Sequence, residues 1–239
     1  MEIIRDKKYE KKEKAKNPVQ NYVKFSFMIT YILLLTTGII TFIEAMRTKV
    51  DTIRHVLNLE TCISLVAGYF YSNFVAKIEE DEKQDIPIDW EDITKKRYID
   101  WSITTPMMLL TLCIVLSYNI GHHKQVKFLN FFIVILMNYA MLYLGYLGEI
   151  NYLSKFTAMV AGFIPFFIMF GIIFYNYIPK YRFDSYILYF TYFTVWSMYG
   201  MAYMLSEEYK NIYMNMLDCI AKCFLGLSLW VYYIRVIRL

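Results

Sequence analysis

The chain has 239 residues, of which 58% are hydrophobic and 19% are aromatic, and its formal net charge is +4. A composition this apolar excludes an ordinary soluble domain and predicts a membrane protein. The modest charge gives no reason to expect nucleic-acid binding, because much of it comes from the N-terminal residues and from residues that flank apolar segments. All four cysteines fall inside apolar segments, so we expect neither a disulfide framework nor a metal site.

Apolar segments of membrane-crossing length follow one another along the chain. Each has about 20 to 25 residues, and lipid admits a backbone only when its polar groups bond internally, as they do in a helix. The sequence therefore predicts an all-α membrane protein, a seven-transmembrane-helix bundle at residues 22–239 behind a charged tail at residues 1–21. That tail is expected to stay solvated or to lie on lipid headgroups as a short helix. The predicted spans are about 22–46, 53–76, 97–118, 126–147, 152–178, 186–205 and 209–233.

The first two segments carry polar residues that we do not expect to face lipid. Glu44 lies near the end of the first segment, either on an inward face or at the membrane interface. In the second segment Asn58, Glu60 and Ser64 belong to one hydrophilic side. This side either packs in a hydrogen-bonded network or lines a water-filled path. The path is favoured because Glu60 has no obvious buried cation to pair with.

Residues 79–92 are dense in acid and separate the second segment from the third. The simplest prediction is a solvated loop. A concentration of negative charge also raises the local concentration of cations, so the stretch could serve the mouth of a pore.

Charged residues inside the third and last segments form the most informative pattern. The run Arg97-Tyr-Ile-Asp-Trp-Ser-Ile-Thr-Thr-Pro106 places Asp100 about one turn inside the membrane, where a carboxylate needs a cationic partner. Lys222 is expected to be the only deep lysine, and Asp218 precedes it on the same helix face. These residues either form an ion pair that holds two helices together or surround a lysine that forms a Schiff base with an aldehyde cofactor.

Three motifs resemble those of the microbial (type 1) rhodopsins, which are seven-helix proteins that carry retinal. They are the Arg97–Pro106 run in the third helix, Trp196-Ser-x-Tyr199 in the sixth and Asp218-x-x-Ala-Lys222 in the seventh. The motifs stand in the right helices and in the right order. The resemblance covers about residues 22–238 and is strongest to the channel-forming rhodopsins of giant algal viruses.

The resemblance implies that all-trans retinal binds covalently to Lys222 as a Schiff base. Asp100 matches the primary counterion and proton acceptor, and Asp218 matches a second counterion. Arg97 and Thr104 are implied to complete this part of the site.

The resemblance also implies a retinal pocket and a colour. Met108 matches the spectral-tuning position, where an apolar residue implies green absorption. Asn138 stands where several relatives carry Asp, as a partner for the hydroxyl of Thr105. The implied pocket residues are Trp101, Thr105, Met108, Met141, Gly145, Phe166, Trp196, Tyr199 and Tyr203.

Several functions are compatible with such a photoreceptor, none of them enzymatic. A light-gated cation channel is favoured by the second segment, by the acidic stretch and by Thr111, which replaces the carboxylic acid that returns a proton in efficient outward pumps. A slow outward proton pump is the alternative, since Asp100 and Thr104 keep the acceptor side and water can replace the missing donor. A sensory photoreceptor is a third. The expected ion-pathway residues are Glu44, Asn58, Glu60, Ser64 and Thr111.

The charges of the loops predict an orientation in the membrane. The basic side is expected to be cytoplasmic, which puts the C-terminus inside and the N-terminus outside, although the lysine-rich tail runs against that bias. The expected partners are the lipid bilayer and cations or protons, with a homo-oligomer possible. The basic side includes Arg47, Lys49, Lys124, Lys127, Lys180, Arg182, Arg235 and Arg238, and the other side includes Glu149, Glu207 and Glu208.

Overall fold

The computed structural model describes residues 18–120, 126–178 and 182–232. Most of the predicted N-terminal tail, residues 1–17, lies outside these ranges. The described ranges form seven helices and no strand, which confirms the predicted all-α bundle. The helices are α1 Pro18–Arg47, α2 Asp51–Lys83, α3 Trp90–Ile120, α4 Phe128–Glu149, α5 Lys155–Tyr177, α6 Phe183–Ala202 and α7 Glu207–Val231.

Five of these helices, α1, α3, α4, α5 and α7, are long and apolar enough to cross a membrane. Helix α4 presents large apolar side chains outward, among them Phe128, Phe132 and Tyr143. Helices α2 and α6 do not belong to that group: α2 carries many charged residues and α6 is rich in tyrosine. The chain thus has the apolar helices of a multi-pass membrane protein, which pack together with the charged α2 and the tyrosine-rich α6.

The acidic stretch at residues 79–92 is mostly helical, so the prediction of a loop there is wrong. Helix α2 continues to Lys83 and α3 begins at Trp90, which leaves only residues 84–89 as a connection. Ion pairs one turn apart explain the extension: Lys77 lies 2.9 Å from Asp81, and further pairs of this kind open α3.

Helix α7 changes its winding in the middle. Residues Glu207–Asp218 are α-helical, Cys219–Phe224 form a π-helical turn, and Leu225–Val231 return to the α-helix. A π turn adds a residue to the ring closed by each hydrogen bond and is frequent at functional sites. The wide turn contains Lys222, and nothing in the hydrophobic pattern of the segment predicted it.

The core consists of two groups of aromatic side chains on either side of this turn. Phe166 and Phe170 of α5 pack against Trp196 of α6, with ring centroids 4.8 Å apart for the two phenylalanines and 5.9 Å for Phe170 and Trp196. On the other side Phe27 of α1 packs against Tyr71 of α2 at 5.7 Å. Together these rings enclose the middle of α7.

Gly148 near the end of α4 provides a test of this packing. A Cβ at Gly148 would overlap the hydroxyl of Tyr203 and lie 2.6 Å from the Cβ of Ala158. We expect Gly148→Ala to lower the free energy of unfolding by about 1–3 kcal/mol through overpacking. The matched control is Gly171→Ala on α5, where a Cβ meets nothing within 4 Å. Thermal unfolding in detergent, followed by circular dichroism, should show a lower melting temperature only for Gly148→Ala.

Candidate functional site

Four buried charges meet between α3 and α7. The Nζ of Lys222 donates a hydrogen bond of 2.7 Å to Oδ2 of Asp100 and lies 3.4 Å from Oδ2 of Asp218. An Nη1 of Arg97 lies 3.5 Å from the same Asp218 oxygen. None of the four side chains is more than 1% exposed. Two cations therefore balance two carboxylates, which is the condition for keeping such groups out of water.

The two carboxylates have different surroundings. Asp218 accepts hydrogen bonds from the hydroxyls of Tyr71 at 2.7 Å and Tyr199 at 2.6 Å. Oδ1 of Asp100 is buried and has no hydrogen-bond partner within the described ranges. Thr104 donates to the backbone carbonyl of Asp100 at 3.0 Å rather than to its carboxylate. Asp218 is thus held on both oxygens, whereas Asp100 keeps one oxygen free to accept.

Arg97 is fixed by residues that the sequence analysis did not single out. Its Nη1 donates to the hydroxyl of Tyr71 at 2.6 Å, and its Nη2 donates to Asn215 at 2.7 Å and Asn211 at 3.0 Å. The guanidinium also lies 5.2 Å from the ring centroid of Phe27. A signal for the asparagines was present, because residues 211, 215, 218 and 222 share one helix face by their spacing of three or four.

An apolar cavity of about 810 Å³, counting the space at its open end, lies against Lys222 and Asp218. Aromatic rings form much of its wall, with Trp101 and Tyr199 in an edge-to-face pair at 5.5 Å. The structure brings all nine of the pocket residues expected from the sequence to this cavity: Trp101, Thr105, Met108, Met141, Gly145, Phe166, Trp196, Tyr199 and Tyr203.

The cavity fits a long apolar group with one reactive carbonyl. Its lining is almost entirely apolar, and the Lys222 amine in its wall donates to Asp100, whose other oxygen is free to accept. Flat rings along such a slot favour an extended conjugated molecule. The donor set of the site therefore agrees with retinal, with Lys222 as the point of attachment.

Asn138 and Thr105 meet at the wall of this cavity. Nδ2 of Asn138 donates to the Thr105 hydroxyl at 2.9 Å, and that hydroxyl donates to the carbonyl of Trp101 at 2.6 Å. The pairing of Asn138 with Thr105 agrees with the sequence analysis. It links α4 to α3 next to the aromatic wall.

Glu60 occupies the bundle on the other side of Lys222 from Arg97. It is 2% exposed and lies beside Thr111 of α3 and Tyr192 of α6. A Cβ at Gly226 of α7 would come within 2.5 Å of its Oε2, so the glycine makes room for the carboxylate. No ion pair in the described chain includes Glu60. The Ser64 hydroxyl is also buried and lacks a hydrogen-bond partner within the described ranges, and the buried Thr111 hydroxyl faces the Glu60 carboxyl group.

Two residues that the sequence analysis expected in the ion pathway, Asn58 and Glu44, do not lie beside Glu60. Asn58 is exposed, because a spacing of two residues turns its side chain about 200° around the helix from Glu60, so the predicted common hydrophilic side is wrong at Asn58. Glu44 pairs with Arg47 at 3.0 Å in the last turn of α1, which agrees with the interfacial alternative rather than the inward one.

A second buried lysine corrects the expectation that Lys222 is the only one. Lys210, twelve residues earlier on α7, has no exposed side-chain surface. Its Nζ lies 2.8 Å from Glu149 and 2.7 Å from Glu207, two residues that the sequence analysis treated only as loop charges. Sequence offered little warning, since a lysine near the start of a span usually extends to the interface.

Comparison with known proteins identifies similar sequences and structures. A family model described as bacteriorhodopsin-like protein matches residues 21–236. The crystal structure of viral rhodopsin OLPVRII is 42% identical in sequence with a TM-score of 0.83, and the match covers 90% of this chain and 98% of that one. A comparison with curated proteins finds no match.

More distant structures share the fold. The blue light-absorbing proteorhodopsin from Med12 is 19% identical with a TM-score of 0.71, over 91% of this chain and 100% of that one. The proton pumping rhodopsin AR2 from the marine alga Acetabularia acetabulum is 17% identical with a TM-score of 0.72, over 91% of this chain and 97% of that one.

The hydroxyl of Tyr71 provides a test of the charge cluster. Tyr71→Phe removes a donor to Asp218 and an acceptor for Arg97, so we expect a loss of about 1.5–3 kcal/mol in the free energy of unfolding. The matched control is Tyr69→Phe on the same helix, where the side chain is 65% exposed. Thermal unfolding of the two variants should differ; equal melting temperatures would contradict a stabilising role for the Tyr71 hydroxyl.

Proposed function

The chain belongs to the bacteriorhodopsin-like family, and we propose that it is a light-gated cation channel that carries retinal on Lys222. Retinal is the chromophore expected for this family, and membership makes the chain an integral membrane protein. The observation that supports the attachment site is the position of the Lys222 amine, which lies between Asp100 and Asp218 at the end of the aromatic cavity.

Each charged residue has a proposed part in the response to light. Retinal, when bound, supplies light absorption and a change of shape. Asp100 neutralises the positive charge at Lys222 and has a free oxygen that can take a proton. Asp218 stays ionised because two tyrosine hydroxyls and Arg97 hold it. Light thus acts on a balanced cluster in which Asp100, unlike Asp218, keeps one oxygen free to accept a hydrogen bond or a proton.

The channel proposal rests on Glu60. A buried carboxylate without a cation is costly unless another polar partner or water stabilises its charge, and Glu60 lies among Thr111, Ser64 and Tyr192 in the middle of the bundle. These groups offer oxygen ligands to a passing cation on one side of Lys222. The hydrogen-bonded residues around Arg97 continue the polar route on the other side.

The second candidate is an outward proton pump. It is favoured by the free oxygen of Asp100 and by the presence of the proton pumping rhodopsin AR2 among the structures that share this fold. Thr111 has no titratable proton near neutral pH, so a pump would have to draw its returning proton from Glu60 or from water. A sensory photoreceptor would need no continuous route at all.

The orientation is also a proposal. Arg47, Lys49, Lys127 and Arg182 lie at the Glu60 end of the bundle, and we assign that end to the cytoplasm. The Arg97 end, with the start of α7, is then extracellular. Lipid is the proposed partner of the exposed apolar side chains, and a second copy of the chain could cover part of them. Four residues used for the sequence prediction, Lys124, Lys180, Arg235 and Arg238, lie outside the described residues.

Replacing Lys222 tests the attachment site. With retinal supplied, the unchanged protein is expected to form a pigment that absorbs in the green. Lys222→Ala and Lys222→Arg should both give protein without visible absorbance, because neither offers a primary amine. The arginine variant keeps the charge balance with Asp100 and Asp218, and Lys96→Arg at the surface is the control that should keep its colour. A covalent visible pigment in either Lys222 variant would contradict the assignment.

Illumination under voltage clamp separates the candidate functions. A channel gives a current that reverses with membrane potential and follows the cation gradient, whereas a pump keeps one direction over the physiological range. Glu60→Gln should change the reversal potential or the size of the current, because it removes the only buried acidic side chain on that side of Lys222 that the described residues provide. Asp51→Asn in the first turn of α2, where the side chain is 81% exposed and lies outside the acidic stretch, is the matched control. An unchanged current and reversal potential in Glu60→Gln would contradict a role of Glu60 in the ion pathway.

A further inference from the structure

A second buried charge cluster lies at the Arg97 end of the bundle. We call Lys210, Glu149, Glu207 and Lys155 the Lys210 cluster. Lys210 Nζ lies 3.0 and 2.8 Å from the two Glu149 oxygens and 2.7 Å from Oε1 of Glu207. Lys155 Nζ lies 2.8 Å from the same Glu207 oxygen. Two cations again balance two carboxylates, and the Lys210 and Glu149 side chains have no exposed surface.

The fold brings these residues together from three helices. Glu149 ends α4, Lys155 begins α5, and Glu207 and Lys210 form the first turn of α7. The connection between α4 and α5 is tight because Asn151 takes a left-handed conformation with φ of 59°. Because this connection is short, Lys155 at the start of α5 lies beside Glu149 at the end of α4.

The cluster is connected to Arg97 by polar side chains. Oε2 of Glu207 accepts a hydrogen bond of 3.2 Å from the Thr94 hydroxyl, and Asn211 donates to the same hydroxyl at 3.2 Å. The amide oxygen of Asn211 accepts from Arg97 at 3.0 Å. Polar contacts therefore run from the buried charges at Lys222 to Lys155, whose side chain is 36% exposed. The Lys210 cluster closes the outer end of that route.

Tyr203 connects the cluster to the cavity wall. Its ring centroid lies 5.9 Å from Nζ of Lys210, and its hydroxyl donates to the carbonyl of Gly145 at 2.9 Å. Both Tyr203 and Gly145 line the cavity next to Lys222. A change in the shape of the cavity wall that moves Tyr203 would therefore also change the contact between Tyr203 and Lys210.

We propose that the Lys210 cluster is the extracellular seal of this protein and that Lys210 determines which solutes pass it. With its ion pairs closed, Lys210 fills the route with a desolvated cation that hydrated metal cations and small polar solutes cannot pass. Opening requires the separation of buried ion pairs, which is unfavourable unless the surrounding helices move. The closure itself is independent of the transport function, whereas the effect on cation selectivity rests on the proposed channel.

The closure can be measured in the dark with hydroxylamine, a small polar nucleophile. It would attack the imine carbon of retinal bound to Lys222, which forms the retinal oxime, releases the lysine amine and bleaches the pigment. In purified pigment we expect Lys210→Met to bleach at least about tenfold faster than the unchanged protein, with an unaltered absorption maximum, because loss of one partner opens the buried pairs. Lys210→Arg keeps the charge and should bleach at nearly the original rate. The control is Lys96→Met, which removes an exposed lysine at the same end.

Three outcomes would overturn the seal. They are an unchanged bleaching rate in Lys210→Met, a rate raised equally in Lys210→Arg, and a lower melting temperature without faster bleaching, which would make Lys210 only a structural residue. If Lys210→Met does not fold, Lys210→Met/Glu149→Gln removes both members of the pair without leaving a buried charge, and the same result is expected of it.

Photocurrents test the selectivity. With sodium as the external cation, Lys210→Met should move the reversal potential toward the sodium equilibrium potential relative to the unchanged protein. No shift would refute a role of Lys210 in selectivity. If the unchanged protein gives no photocurrent, the proposed channel fails, and the bleaching rates still decide whether the seal exists.

Discussion

Four charges that cannot reach water determine how this bundle is built around α7. Lys222 and Arg97 face Asp100 and Asp218 without exposed side-chain surface, and the loss of any one would leave a partner unpaired in a medium of low dielectric constant. Tyr71 and the two asparagines of α7 hold Arg97 in this cluster by accepting its hydrogen bonds. The aromatic cavity is useful only because the amine at its end is held in one place.

The same constraint recurs in the first turn of α7. Lys210 is buried between Glu149 and Glu207 as Lys222 is buried between Asp100 and Asp218. In each case the positive charge comes from α7 and a carboxylate comes from another helix. Helix α7 thus carries two lysines along one polar route. The inner one is the proposed attachment site, and the outer one is the proposed seal.

The Glu60 side differs because no cation in the described ranges pairs with its acidic side chain. Glu60 lies next to Gly226 and Thr111 with no cation paired to it in the described part of the chain. A balanced cluster is stable in one closed arrangement, whereas an unpaired carboxylate favours water or a cation. The Glu60 half and the Arg97 half of the bundle therefore differ, and this difference supports the proposed transport. The Arg97 half, which contains the Lys210 cluster, is the more tightly closed of the two.

Hydrophobic length and helix periodicity act locally, so the sequence alone was enough to predict the seven helices and to put Asp218 and Lys222 on one helix face. The nine cavity residues were predicted from the resemblance of the motifs to a known family, and the structure brings them to one cavity. Only the tertiary structure decided which polar residues meet across helices. It buried Lys210 against Glu149, turned Asn58 outward and left Asp100 with a free oxygen. These outcomes depend on how the helices are rotated against one another and on the π turn at Cys219–Phe224, and neither is encoded in the spacing of residues along a single helix.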